Sequence, residues 1–362
     1  MRTRFFGLLA IMFVASAAMA DAASTPTSDA PAATSEAATG ATTTTMPATG
    51  DKILLRLNVR AGQSYDIRTT TDMKMTQVLP SAIAGKPTSG PGTPNGKIDI
   101  ATVTTMTMRY DVLEVDPQGI ATVKLTYSEI QNTTRTPNGD VVYDSTRPKP
   151  VSKASAPLDQ VYGSLLGQSI TMKIAPDGRI SDVQGLENLM TRLMNSFQQP
   201  GMSPQAVAAM QKTMKESFGD QFVKSAMQQT AVLYPEKPVG VGDSWPYRIT
   251  VSSSFPLAIS GTRTLTARRN GISTIDEKSN ISIENSAAPL QIESAKMAIN
   301  IAGTQTGTTE IDETTGLTRS TQVVQRFSGT IHLQGIPQQP QGITIRIYNK
   351  TDVNVSMTPV EK

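Results

Sequence analysis

The chain has 362 residues, of which 38% are hydrophobic and 5% aromatic, with 33 Lys+Arg against 30 Asp+Glu. Cysteine is absent and His332 is the single histidine. That excludes disulfides, thiolate nucleophiles, Cys-ligated metals and the common multi-His metal sites. The charges are scattered and few aromatics exist to stack on bases, which argues against a nucleic-acid partner.

Residues 1–20 read as a cleavable secretory signal: Arg2 and Arg4, an apolar run from Phe5 to Val14, then Ala18-Met19-Ala20. Its removal lowers Lys+Arg from 33 to 31 and leaves a nearly neutral chain, expected in the periplasm or outside the cell. Residues 21–50 are almost wholly Ala, Thr, Ser, Pro and Gly, too poor in large apolar groups to offset the entropy of ordering, and read as a disordered linker.

From Ile53 the apolar residues alternate. Leu55, Leu57 and Val59 predict one strand; Tyr65, Ile67, Met73 and Met75 predict a second; Ile98, Ile100, Met106, Met108 and Tyr110 predict a third. The Gly- and Pro-rich stretch between Leu79 and Lys97 predicts an exposed hairpin tip. Ile120 to Ile130 predicts the next strand, and Pro137-Asn138-Gly139-Asp140 and Pro176-Asp177-Gly178 predict tight turns. The pattern changes at Gly185. Leu186, Leu189, Met190, Leu193, Met194 and Phe197 fall at helical spacing, and Val207, Met210, Met214 and Phe218 continue a second stripe beyond a Pro200-Gly201 break, while Phe222, Val223 and Met227 remain ambiguous. Strand periodicity resumes at Trp245 and runs to Val353, Val355 and Met357, so the C-terminus is expected to end as a paired strand.

An internal repeat is legible. Gly62-Gln63-Ser64-Tyr65 lies over Gly242-Asp243-Ser244-Trp245, Gly119-Ile120-Ala121-Thr122-Val123 over Gly271-Ile272-Ser273-Thr274-Ile275, and the turn from Ile174 to Ile180 over that from Ile311 to Leu317. These readings predict an α+β fold: duplicated antiparallel β-sheet units curled into partial barrels and bridged by a helical insertion. The first β-unit would be 51–184, the helical bridge 185–235 and the second β-unit 236–362.

The opening Gly62-Gln63-Ser64-Tyr65, the Met-rich first hairpin, Tyr143-Asp144-Ser145 and the segment from Lys237 to Trp245 resemble an uncharacterised family of secreted bacterial proteins. The resemblance covers most of the chain from Ile53 onward and implies compartment and architecture, with no activity to carry over. Many members bear a lipobox cysteine after the leader; this chain has none, so membrane anchoring is not implied. By analogy of plan alone, the expected fold is similar to the half-barrel lipoprotein carriers of the periplasm.

No catalytic constellation emerges, no cofactor or metal site is expected, and the chain reads as a non-enzyme. Asp276-Glu277 and Asp312-Glu313 are adjacent in turn-like contexts and would point to opposite faces of a strand. Gly163-Ser164-Leu165-Leu166-Gly167 lacks the spacing of a nucleophile elbow. His332, between Ile331 and Leu333, reads as a solvent-facing strand residue and Trp245 as a packing anchor. The methionines carry the functional expectation. Met73, Met75, Met106, Met108, Met190 and Met194 would line an apolar interior, either as plain core between sheet and helix or as an adaptable pocket. The expected function is a non-catalytic periplasmic or secreted carrier of an apolar, lipid-like ligand. The alternative is an envelope scaffold that binds a protein partner and holds no ligand.

Overall fold

The structure, a computed structural model, describes residues 52–80, 96–137, 139–147, 156–196, 234–251, 257–283, 290–292, 295–335 and 342–361. The signal, the linker, the tip of the first hairpin and the second helical stripe lie outside the described residues.

In chain order the strands are β1 (Ser64–Val78), β2 (Lys97–Val115), β3 (Ala121–Thr136), β4 (Gly139–Asp144), β5 (Ser169–Ile174), β6 (Ile180–Gln184), β7 (Ser244–Val251), β8 (Leu257–Arg269), β9 (Ile272–Ile283), β10 (Leu290–Ile292), β11 (Ala295–Asp312), β12 (Thr318–Gln334) and β13 (Ile343–Pro359). Two helices are described, α1 (Ala156–Leu165) and α2 (Leu186–Ser196). The strands form one antiparallel 13-stranded sheet in the order β6-β5-β3-β2-β1-β13-β12-β11-β9-β8-β7, with β4 beside β3 and β10 beside β11.

This corrects the expected class. The protein is largely β, and the two halves are not separate units, because β1 pairs along its length with β13 from Tyr65↔Pro359 to Val78↔Arg346. Repetition persists in the turns. The Gly62 N–H donates to Val112 O and the Val112 N–H to Gln63 O, just as the Gly242 N–H donates to Leu265 O and the Leu265 N–H to Asp243 O. Both turn glycines have positive φ, 81° and 94°. The C-terminal strand is paired on both sides, as its alternation predicts.

Helix α1 was not expected, although Leu158, Val161, Tyr162 and Leu165 follow helical spacing. It packs through Tyr162 on Ile130 and Tyr143, with Met106 and Tyr127 alongside, and so covers β2, β3 and β4 on the sheet's inner face.

Residues 52–60 were expected to be a strand and are instead a strap across one end of the sheet. Their alternation is kept, with Leu55, Leu57 and Val59 buried beside Tyr65, Tyr110, Val123, Leu265 and Ile311. Their backbone bonds go elsewhere: Ile53 exchanges two hydrogen bonds with Val239, the Leu57 N–H donates to Pro176 O, and the Asn58 N–H donates to Thr315 O. The turn at Pro176 follows β5 and Val239 precedes β7, which are nine strand spacings apart in the sheet order. Laid flat, nine spacings are about 43 Å, whereas four residues of strap reach at most about 14 Å. The sheet is therefore curled with its two ends drawn together at the strap. It is not closed by hydrogen bonds among the described residues.

Gly316 fixes the strap. Its φ is +73°, and a Cβ there would sit 2.0 Å from Arg56 O, so only glycine allows this approach. Leu55→Ala should cost about 2–5 kcal/mol, and Gly316→Ala should destabilise through the same contact. Urea unfolding of the double mutant should show a loss smaller than the sum of the two singles.

Candidate functional site

Strand alternation gives the sheet an inner and an outer face, and the strand registers carry inner-facing residues from one strand to the next. One inner row runs Tyr247, Gly261, Ser279, Gln305, Gln325, Thr351, Met73, Thr102 and Thr134, crossing from β7 to β3. The row beside it runs Trp245, Arg263, Glu277, Gly307, Val323, Val353, Thr71, Thr104, Asn132 and Tyr143. Most of these side chains are polar, and Thr71, Thr104, Asn132, Arg263, Glu277, Ser279, Gln305, Gln325 and Thr351 are all buried. Toward the strap the face becomes apolar, with Leu265, Ile275, Tyr110 and Val112. Toward the opposite end it is apolar again, with Ile301, Phe327, Ile331, Ile345 and Ile347. The inner face thus carries a polar belt between two apolar bands.

The belt is held by side-chain bonds that bridge strands. Arg263 and Glu277, 1% and 5% exposed, form an ion pair with Nε 3.4 Å from Oε2. Gln305 Nε2 donates to Glu277 Oε1 at 2.6 Å, and Gln325 Nε2 donates to Gln305 Oε1 at 2.6 Å. The Arg263 guanidinium lies 4.3 Å from the Tyr247 ring centroid, within cation–π range. Farther along, Asn132 Nδ2 donates to Thr104 Oγ1 and Thr351 Oγ1 donates to Asn349 Oδ1. Burial pushes the Tyr247 hydroxyl up to about 12, and the neighbouring Glu277 charge adds to the effect. That hydroxyl closes no hydrogen bond of good geometry, nor do Ser279 Oγ, Gln77 Oε1 and Asn349 Nδ2, all buried on the same face.

The expected site residues fall into two groups. Met73, 1% exposed, is in the first polar row, and Met75, 4% exposed, is two residues farther from the strap. Met106 and Met108 are half-buried nearer the strap, opposite Thr69 and Ile67. All four share the inner face, yet measured along β1 they span eight residues, roughly 26 Å, with the Thr71–Thr104 pair between them. They line a face and do not converge on a point. Met190 and Met194 belong to α2, but their side chains lie outside the described residues.

Sequence reading missed the belt's strongest element. Asp276 and Glu277 point to opposite faces as expected, but they sit in the middle of β9, where Glu277 is buried against Arg263 and Asp276 accepts from the Thr308 hydroxyl. The available signal was the alternation Leu265, Arg263 and Ile275, Glu277, Ser279, which puts one charged residue on the inner side of each of two consecutive strands. His332 is half-exposed and contacts Thr344 and Gln334, and Trp245 packs on the strap-end core.

One groove of about 530 Å³ lies at the hairpin end of β1 and β2. It is lined by Lys74, Met75, Thr76, Asp99, Ile100, Ala101, Arg135, Thr136 and Pro137. It lies where the β2–β3 pairing stops at Ala101↔Arg135, so that among the described residues the first residues of β2, 97–100, have no strand neighbour on that side.

Fold and inner face together define a single-sheet, curled β protein with a banded interior. The chain belongs to DUF6263, a family of unknown function, whose match covers residues 118–318. Two of the segments behind the expected resemblance, Tyr143-Asp144-Ser145 and Lys237 to Trp245, lie inside that range. No curated protein matches the chain. Among solved structures it is similar to lipovitellin, at 9% identity and a TM-score of 0.34, covering 81% of this chain and 25% of lipovitellin. It is also similar to OccK7 of Pseudomonas aeruginosa, at 7% identity and a TM-score of 0.21, covering 83% of this chain and 100% of that one. OpdQ of the same organism aligns at 8% identity and a TM-score of 0.19, covering 82% and 99%. The chain thus spans about a quarter of the length of lipovitellin, and at these TM-scores the likeness carries no argument about function. Among the described residues no helix is long and apolar enough to cross a membrane.

Removing one partner of a buried ion pair strands the other charge, at about 3–5 kcal/mol. Arg263→Met and Glu277→Leu should each lose that much in urea unfolding, and the double mutant should lose clearly less than their sum. A second expectation concerns alkali. Burial raises the hydroxyls of Tyr65, Tyr110, Tyr127, Tyr143, Tyr162, Tyr234 and Tyr247 above the ordinary value of 10.0. Above that pH the unfolded chain releases protons that the folded one keeps, so stability should fall as pH rises from 10 toward 12. Unfolding midpoints across that interval check the sign.

Proposed function

We propose that this protein is a non-catalytic carrier, acting in the periplasm or outside the cell, for a ligand that is amphiphilic and not purely apolar. The observation that supports the reading is the banding of the inner face: a polar belt of Thr, Gln, Arg263 and Glu277 flanked by two apolar bands. A core built only for stability gains from uniform apolar packing, whereas buried polar side chains contribute little net free energy and cost about 1–3 kcal/mol each when unpaired. A ligand with an apolar chain and a hydrogen-bonding group matches such a face in both respects. The chain would contribute roughly 0.8 kcal/mol per methylene removed from water, and the polar group would be read by the belt.

A sheet whose edges β7 and β4/β6 share no ladder among the described residues suits this role, because away from the strap that ties one end they can part without breaking inter-strand pairing. The reading keeps Met73 and Met75 as lining and treats Met106 as support for α1.

Native mass spectrometry of protein purified from its secreting host without detergent, followed by organic extraction, tests the proposal. A stoichiometric amphiphile should be recovered. A clean apo mass, together with no uptake of a fluorescent amphiphile, would overturn the assignment in favour of a packed core and a protein partner.

A further inference from the structure

Resting on the carrier reading, we infer that the ligand's polar group is uncharged, offers both a donor and an acceptor, as an amide or hydroxyl does, and is held by Gln77 and Asn349. The two residues are 1% and 6% exposed. They sit diagonally on neighbouring strands, since Asn349 is the cross-strand partner of Met75 and Gln77 follows Met75 by two on β1. Each uses one end of its amide internally. Gln77 Nε2 points at Met75 Sδ at 3.8 Å, and Asn349 Oδ1 accepts from Thr351. The other ends, Gln77 Oε1 and Asn349 Nδ2, are buried and unpartnered. That leaves one acceptor and one donor at diagonal positions of neighbouring strands, where a native core rarely leaves either.

The surroundings fit a ligand that enters from outside. The inner row Phe327, Asn349, Met75, Ile100 ends at Ile100, beyond which β3 supplies no residue. The groove lies beside that edge, with Met75 and Ile100 in its wall together with Lys74, Thr76, Asp99, Ala101 and Arg135 of the outer face. Met75 is shared between the groove and the amide pair: it is in the groove wall and its Sδ meets Gln77 Nε2, and an unbranched thioether adapts to its surroundings at little cost. On the far side, Phe327, Ile345 and Ile347 offer an apolar band for the ligand's chain.

Charge selects the class. A carboxylate only accepts and would leave Gln77 Oε1 unmet, while an ammonium only donates and would leave Asn349 Nδ2 unmet. Among the described residues the inner face holds no cation beside them, since Arg263 is matched by Glu277 and lies on β8, five strands from β1. Lys74 and Arg135 at the groove lie on the outer face, in the row Lys350, Lys74, Ala101, Arg135. They can attract an anion to the mouth but do not face the amide pair.

The test is competition at pH 9, where oleate is fully ionised, between oleamide, oleyl alcohol, oleate and octadecane for the full mature chain, read by native mass spectrometry. Oleamide and oleyl alcohol should bind at least tenfold more tightly than oleate. Gln77→Leu and Asn349→Leu should each abolish that preference, and Gln77→Leu should raise the thermal midpoint of the empty protein because it removes an unmet acceptor. Oleate binding as tightly as oleamide, or a preference unchanged in both variants, would overturn the inference and leave the carrier reading standing. If none of the four probes binds, the carrier reading fails and the inference with it.

Discussion

Everything in this molecule depends on the pairing of β1 with β13. Without it the two halves would be independent sheets with four exposed edges; with it they become one ladder in which inner-facing residues line up over nine or ten strands. Residues as distant in sequence as Met73 and Gln325 then share one transverse row. Antiparallel pairing between the two ends of a chain is slow to find and entropically costly to close, so its completeness marks it as a contact the rest of the sheet requires. The strap of residues 52–60 adds the curvature by tying the Pro176 turn, the Thr315 turn and Val239 within a few residues of one another.

Curvature explains the interior. A flat sheet exposes both faces, and a polar row would simply be wet. In a curled sheet the inner face is withdrawn from water, and each polar residue there must find a partner or remain unmet. Most do so through Gln and Thr ladders, and the Arg263–Glu277 pair neutralises itself. Inner-facing glycines accommodate the bend: a Cβ on Gly261, Gly303 or Gly329 would lie within 2.2 Å of a carbonyl oxygen on the adjacent strand. The methionines near the belt are among the few side chains that adapt to such irregular space, which accounts for their abundance on β1 and β2 better than a single pocket does.

The proposed carrier role and the packed-core alternative differ in how they treat the unmet polar atoms beside the belt. For a core, Gln77 Oε1 and Asn349 Nδ2 are a defect that substitution would remove at no loss. For a carrier, they are the cost of specificity, since a site that offers open valences rejects ligands unable to fill them. Both residues lie within two residues of Met75 in the register of β1 and β13, and Met75 is in the groove wall.

Period-2 alternation shows from sequence alone which residues face inward along β1, β2 and β13, because side-chain direction on a strand is a local property of the pleat. The turn glycines at 62, 119, 242 and 271 were legible for the same reason: a positive φ is demanded by the turn itself. The polar belt was not, because Gln305, Gln325, Thr351 and Met73 belong to strands far apart in the chain, and nothing in a strand's own pattern states its neighbours or its register. Alternation of Leu55, Leu57 and Val59 likewise showed that one side is buried, but not that the backbone bonds go to three turns instead of a ladder. Burial direction is written residue by residue, whereas partnership, curvature and the meeting of Arg263 with Glu277 arise only when distant strands are brought into contact, and the tertiary structure decided them.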